Sequence, residues 1–264
     1  METKPYPIRT AMILAAGLGL RLRPLTGARP KPLLPVLNKP LLYYWLERLQ
    51  GLGVRRAVIN AYHLAPMIVE AARNLPPGLG DIEALVSVEG ELLGTAGGLK
   101  KAAMLLFPPG PPRASGASEP FYVVNGDIHT DIDLALLAET HQALASQAPH
   151  GPPVTMALVD YPPKATVSLG QDGQIVAFRH NGPCPGETSR LCGAGLAVME
   201  RWFLETLPGH FSDTVEILKG RMALGDRPGS RFFPGAAWAD IGSLPEYYSL
   251  NKGLARGRAL LQSP

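Results

Sequence analysis

Ala11-Met-Ile-Leu-Ala-Ala-Gly17-Leu-Gly19-Leu-Arg21-Leu-Arg23-Pro24-Leu25-Thr26, with Pro30-Lys31-Pro32-Leu33 close behind, is the stretch whose reading decides the fold. The apolar run Met12 to Ala15 is too short for a helix and reads as a buried strand. It breaks at Ala16-Gly17, and Gly17 and Gly19 then allow positive φ or a close approach to a ligand. A glycine-rich turn after a strand directs amide N–H groups outward, which suits an oligophosphate. Arg21, Arg23 and Lys31 follow, the lysine flanked by prolines that stiffen its loop. Fixed amides beside fixed cations describe a polyphosphate site. A Gly-x-Gly by itself is equally well an ordinary strand-to-loop turn.

Two common nucleotide motifs fit this position poorly. The dinucleotide fingerprint requires a glycine three residues after Gly19, where Leu22 stands. The P-loop requires Gly-Lys-Ser/Thr, and no such tripeptide follows Gly17.

Downstream, the pattern alternates. Leu41, Leu42, Trp45, Leu46 and Leu49 share one helical face, closed by Gly51 and Gly53. Arg56 to Asn60 reads as a second strand, Leu64 to Leu75 as a helix with Pro66 in its first turn, and Ile82 to Val88 as a third strand. The string Glu89-Gly-Glu91-Leu-Leu-Gly94-Thr95-Ala96-Gly97-Gly98 then leads into a predicted short helix over Leu99 to Leu106. Pro108 to Pro120 has loop chemistry, and Phe121 to Val124 is a fourth strand ending in Asn125-Gly126-Asp127. Strands and helices at this spacing predict an α/β fold with a doubly wound, mostly parallel sheet.

After a helix over Leu134 to Ser146 the texture changes. Val154 to Asp160, Ala165 to Leu169, Gln174 to Phe178 and Leu191 to Val198 read as strands of a small mixed β extension. Helices near Glu200 to Leu207 and Asp213 to Ala223 precede Trp238-Ala-Asp240-Ile-Gly242, and a last helix starts at the Ser243 cap.

Composition narrows the classes. A net charge of +3 with scattered cations does not argue for nucleic acid. No apolar run reaches the ~20 residues of a membrane helix, and the polar Met1 to Thr10 does not read as a secretory signal. Cys184 and Cys192, the only cysteines, imply no disulfide framework, so a reducing cytoplasm is the expected setting.

Taken whole, Gly17 to Leu33 resembles the signature loop of the sugar-phosphate nucleotidyltransferases, or nucleotide-sugar pyrophosphorylases. That loop runs Gly-x-Gly-[Thr/Ser/Glu]-Arg-[Leu/Met]-x-Pro-Leu-Thr, then Lys-Pro-[Leu/Met]. Leu20 departs from it, standing where the family has a small polar residue. The resemblance extends to about Asn251, and it implies a Rossmann-like, GT-A-like fold without an appended β-helix. It implies one domain over 1–264, with a nucleotide-binding half (11–150), a sugar-binding extension (151–240) and a C-terminal helix (241–264). It also implies a reaction between a nucleoside triphosphate and a sugar 1-phosphate.

The site residues follow from the same resemblance. Arg21, Lys31 and Asp127 would be catalytic. Ala15, Ala16, Gly17 and Gly19, with Glu89, Gly94, Thr95 and Gly97, would contact the nucleotide. Asp127 and Asp240 would bind Mg²⁺, whose preference is for hard oxygen ligands. On its own, Asn-Gly-Asp is an ordinary turn and Asp240 is a candidate helix cap. On the acceptor side the family's Glu-Lys-Pro is absent after Phe178, so Arg179 or Glu187 would substitute, with Asn125 and Gly193 in the sugar pocket. Within the family, the Glu-Gly-Glu-Leu-Leu-Gly-Thr-Ala-Gly-Gly string is most like mannose-1-phosphate guanylyltransferases, with N-acetylmuramate-1-phosphate uridylyltransferases next. A rival reading is a non-catalytic sugar-nucleotide-binding regulatory subunit, which need not keep Arg21, Lys31, Asp127 and Asp240 together. Self-association is left open.

Overall fold

In the computed structural model, which describes residues 8–110, 118–147, 151–178, 182 and 184–256, the leading apolar run is strand β1, Thr10–Leu14. The loop after it holds a one-turn helix α1 (Leu25–Ala28). A short hairpin of β2 (Pro35–Val36) and β3 (Lys39–Pro40) then leads into α2 (Leu41–Gly51). The alternation continues through β4 (Arg56–Ala61), α3 (Ala65–Arg73), β5 (Glu83–Val88), α4 (Gly94–Leu106) and β6 (Pro120–Asn125). β1 is central, parallel to β4 on one side and to β6 on the other, and β5 extends the parallel set beyond β4.

The strand pleat explains why the sheet is covered on both faces. Ala11 and Ile13 of β1, Ala57 and Ile59 of β4, and Tyr122 and Val124 of β6 pack on one core with α2 and α3. Met12, Val58, Phe121 and Val123, the residues between them, pack on a second core with α4. This is the doubly wound arrangement the alternation predicts.

Helix α4 begins at Gly94, five residues earlier than the sequence reading places it. The glycines argue against a helix by propensity, but tertiary packing uses their missing side chains. A Cβ at Gly94 would lie 2.4 Å from the Ser212 carbonyl oxygen, and one at Gly97 2.5 Å from that of His210. The backbone of 210–212 lies directly on the first turns of α4, where Ala96 N donates to Ser212 O at 3.0 Å.

Past β6 come β7 (Ile128–Thr130) and α5 (Leu134–Ala145). The extension is built from β8 (Val154–Val159), β9 (Val167–Leu169), β10 (Ile175–Phe178) and the long β11 (Ser189–Glu200). After α6 (Arg201–Thr206) and α7 (Thr214–Ala223), β12 (Gly229–Phe232) returns to pair with β8. β11 is antiparallel to β6, β8 and β9, so the extension continues the same sheet. Its register against β8 shifts between Gly193 and Ala197, the bulge that glycines within a strand often mark.

The chain closes with β13 (Trp238–Asp240) and α8 (Leu244–Ala255). β13 pairs antiparallel with β7, a ladder of three residues a side that the sequence reading leaves unassigned. Ser243 caps α8 as expected, accepting from Glu246 N. The helix is tied to the segment after the signature loop, where Tyr247 Oη donates to Pro35 O at 2.5 Å and Leu37 N to Asn251 Oδ1 at 2.6 Å.

Candidate active site

The signature loop is held from inside. Thr26 is almost fully buried, and its hydroxyl donates to the Gly19 carbonyl at 2.8 Å. Gly19 has φ +61, and a Cβ there would lie 2.7 Å from Thr26 Cγ2, so both conformation and space require glycine. Gly17 is different: a Cβ there would meet nothing within 4 Å. The protein's own packing does not demand glycine at Gly17, and the space beside it is open. At the head of the loop Ala15 N donates to Asn60 Oδ1 at 2.7 Å, and Ala15 and Ala16 are buried.

Gly126 joins three segments. Its N–H donates to Leu14 O at 2.9 Å, and a Cβ would lie 3.0 Å from that oxygen and 3.5 Å from Pro32 Cγ. The ends of β1 and β6 and the Lys31-Pro32 turn are thereby brought together. The β7–β13 ladder adds the fourth piece, with Asp240 opposite Ile128 and Ile241 N donating to Asp127 O at 3.0 Å. Two aspartates more than a hundred residues apart thus meet at the carboxyl end of β6, where open α/β sheets bind ligands.

Lys31 sits between them. Its ammonium is hydrogen-bonded to Asp127 Oδ2 and lies 3.6 Å from Asp240 Oδ1. Lys164, on the turn after β8, reaches the same aspartate from the other side, at 2.8 Å from Asp240 Oδ2 and 2.7 Å from Glu246 Oε1. Partial burial pulls the Lys164 pKa down. Its hydrogen bonds and charge contacts with Asp240 and Glu246 outweigh that and leave it raised. The Arg21 guanidinium joins this group over Gly242, where a Cβ would lie 2.9 Å from Arg21 Nη2, 3.0 Å from Glu246 Oε2 and 3.1 Å from Asp240 Oδ2. Arg21, Lys31 and Lys164 are therefore interleaved with Asp127, Asp240 and Glu246.

The donor set fits Mg²⁺. Among the described residues no group of three or more His, Cys, Asp or Glu could hold a metal. Mg²⁺, however, is commonly held by one or two carboxylates plus substrate phosphates and water. Asp127 and Asp240 are close enough to share one ammonium, and Asp240 Oδ1 is buried with no hydrogen-bond partner. A buried carboxylate oxygen without a donor is costly unless a cation completes it.

The segment from Glu89 to Gly97 lies against the head of the signature loop and the backbone of 210–212. Glu89 is buried, with Oε1 accepting from Asn60 Nδ2 at 2.7 Å and Oε2 from Leu93 N at 3.1 Å. It links the head of the signature loop, through Asn60, to the entry of α4. Both carboxylate oxygens accept from protein donors. Thr95 Oγ1 accepts from Thr214 N at 2.8 Å, while Gly94 and Gly97 lie under 210–212. Glu89→Ala should lower stability by ~1–3 kcal/mol, because it leaves buried donors unpaired. Denaturant unfolding checks this, and a variant of unchanged stability with altered base preference would assign Glu89 to base reading instead.

Asn125, Gly193, Gly195 and Thr95 line a cavity of about 210 Å³ with Met156 and Phe178. Gly195, at φ +74, lies against the Asn125 amide, whose Nδ2 would be 2.8 Å from a Cβ there. Glu187 is not in this cavity; both its oxygens pair with Arg190, at 2.9 Å each. Arg179 lies outside the described residues. Cys192 is buried, and burial pushes its thiol up to about 11, which fits a packing role.

Sequence reasoning missed Lys164, Asn60 and Glu246. Only the last carried a signal, since Ser243-Leu-Pro-Glu246 has capping-box spacing. Lys164 and Asn60 act through partners 76 and 45 positions away, which no local pattern encodes.

Comparison with known proteins agrees with this architecture. The Nucleotidyl transferase family model matches residues 10–175. The N-acetylmuramate alpha-1-phosphate uridylyltransferase of Neisseria meningitidis is 40% identical over 159 residues, 58% of this chain and 60% of that protein. The mannose-1-phosphate guanylyltransferase catalytic subunit beta of Drosophila pseudoobscura is 36% identical over 171 residues, 64% of this chain and 42% of that one. The chain thus spans less than two thirds of the length of the curated relatives it matches. The crystal structure of HddC from Yersinia pseudotuberculosis superposes with a TM-score of 0.70 at 22% identity, covering 92% of this chain and 98% of that one, and shows the same fold. With the signature loop, the paired aspartates and this match over more than half its length, the chain belongs to the nucleotidyl transferase family.

Proposed function

We propose that this protein transfers a nucleotidyl group from a nucleoside triphosphate to a sugar 1-phosphate, releasing pyrophosphate. An oxygen of the sugar phosphate forms a new bond to the α-phosphorus. The bond from that phosphorus to the bridging oxygen breaks, and its electron pair leaves with pyrophosphate. The attacking oxygen is already anionic near neutral pH, so no general base is needed. The work left to the protein is to hold two anions in line and to offset the charge that develops.

Mg²⁺ held by Asp127 and Asp240 would supply positive charge shared by the phosphates of both substrates. Arg21 faces the leaving pyrophosphate, and Lys31, at the same loop, neutralises the α-phosphate as it is attacked. Asn60 and Glu89 hold the loop and the entry of α4 in register, and the cavity beside Asn125 and Gly193 receives the sugar.

The observation that carries this reading is the meeting of Asp127 and Asp240 around the Lys31 ammonium, with Asp240 Oδ1 left without a hydrogen bond. A regulatory subunit would have no need of that arrangement. The test is pyrophosphate release from a matrix of triphosphates and sugar 1-phosphates with Mg²⁺. GTP with mannose 1-phosphate is expected first and UTP with N-acetylmuramate 1-phosphate second. Binding of nucleotide sugars without turnover of any pair would instead favour the regulatory reading.

A further inference from the structure

We infer that Lys164 is the acceptor-side cation of this site, stored on Asp240 and Glu246 until the phosphate of a sugar 1-phosphate takes it; this rests on the reaction proposed above. The family's usual acceptor tripeptide is missing after Phe178, and Glu187 is committed to Arg190. A sugar phosphate still needs a positive partner. Lys164 is the described cation that reaches the site from the extension, the half of the sheet that carries the cavity.

Its surroundings place it on that side. Lys164 Nζ lies 5.7 Å from the centre of the Trp238 ring and 5.9 Å from that of Tyr161. The Trp238 indole N–H donates to Ala194 O at 2.9 Å, inside the bulged glycine stretch of β11. The ammonium thus lies over a ring that is itself tied to the 193–195 stretch, whereas Lys31 comes from the signature loop. Asp240 stands between them, with Oδ1 toward Lys31 and Oδ2 toward Lys164.

This geometry couples the two events. Asp240 would hold a divalent cation, whose charge would compete with the Lys164 ammonium for the same carboxylate. An arriving phosphate dianion offers a replacement. Lys164 is about a third exposed, so its pairs with Asp240 and Glu246 are partly wet and readily exchanged. Glu246 keeps a partner when Lys164 moves, since Ser243 Oγ donates to its Oε2 at 2.8 Å.

The prediction separates a stored cation from a structural one, because the two readouts move in opposite directions. In Lys164→Met, Mn²⁺ binding to the substrate-free protein, followed by electron paramagnetic resonance, should tighten severalfold because a competing cation is gone. The KM for the sugar 1-phosphate should rise at least tenfold, with the triphosphate KM within about twofold of wild type. Lys164→Arg should recover most of the acceptor affinity. Glu246→Gln, which loosens one hold on Lys164 and keeps side-chain size, should leave the acceptor KM unchanged or lower it. Weaker Mn²⁺ binding in Lys164→Met, an equal rise in both KM values, or a raised acceptor KM in Glu246→Gln overturns the inference while the reaction stands. If wild-type protein releases no pyrophosphate with any pair of substrates, the reaction itself is wrong and the inference falls with it.

Discussion

Asp240→Ala is expected to lower turnover by about a hundredfold to ten-thousandfold while leaving the fold as stable as wild type or slightly more so. A metal at the reacting phosphates is worth several kcal/mol of charge stabilisation, and every ~1.4 kcal/mol is a factor of ten in rate. The stability side has the opposite sign. Asp240 Oδ1 is buried without a hydrogen bond, with the Lys31 ammonium 3.6 Å away, so the desolvation of that oxygen is only partly offset until a metal ion arrives. Removing it leaves Lys31 paired with Asp127 and Lys164 with Glu246, so neither ammonium is stranded. A functional residue that is neutral or unfavourable for folding is the expected trade between activity and stability. Asp127→Ala should lose turnover similarly. Steady-state rates at saturating Mg²⁺, read beside melting temperatures, check both variants. Near-normal turnover in either one removes that aspartate from the metal site, and a large drop in melting temperature for Asp240→Ala makes its role structural.

The contrast between Asp240 and Lys164 shows what the chain reveals before it folds. The strand at Met12 to Ala15, its glycine turn and the alternation after it are local patterns, each set by a few neighbouring side chains, and they led directly to β1, β4, β5 and β6. Asp127 and Asp240 were visible because each sits in a dense local motif. Their meeting was not, because β7 and β13 are three-residue strands whose only reason to exist is each other. Too short to show a period of two, they form through hydrogen bonds to a partner over a hundred residues away. Helix α4 was misjudged at its start for a related reason. Gly94 and Gly97 read as loop from propensity, and the backbone of 210–212, which needs their bare surface, is remote in sequence. The sequence marks Glu89 as a nucleotide contact, and its carboxylate turns inward to Asn60 and Leu93, a choice visible only once β4 and β5 lie side by side.

Glu200→Ala should cost more stability than any other single substitution considered for this protein, with no direct effect on chemistry. Glu200 ends β11, opposite Pro120 at the start of β6, whereas Asp127 follows that strand's far end. The Glu200 carboxylate and the His141 ring are both almost fully buried. Oε1 accepts from His141 Nε2 at 3.1 Å and from Ser118 Oγ at 2.5 Å, and Oε2 accepts from Glu119 N at 3.1 Å. His141 Nδ1 is bonded in turn to the Thr155 hydroxyl at 2.8 Å, so one carboxylate joins α5, β8, β11 and the entry to β6. Removing one partner of a buried pair costs about 3–5 kcal/mol, because the groups left behind have no water to turn to. In a chain of this size that is a fall in melting temperature of roughly 6–20 °C.

The same carboxylate makes stability depend on acid. Burial pushes its pKa up, but the hydrogen bonds from His141, Ser118 and Glu119 N–H, with the charge of His141, outweigh burial and hold it below the ordinary value. A carboxylate whose folded pKa is depressed stabilises the protein above its unfolded pKa, and the contribution is lost as pH falls through the folded value. Wild-type melting temperature should therefore drop as pH is lowered from about 5, just above the ordinary carboxylate range, toward the depressed value. Glu200→Gln, which cannot titrate, should start lower and show a shallower acid slope, with turnover per folded molecule unchanged at neutral pH. Identical acid slopes in the two proteins would mean that the Glu200 proton is not what the fold loses.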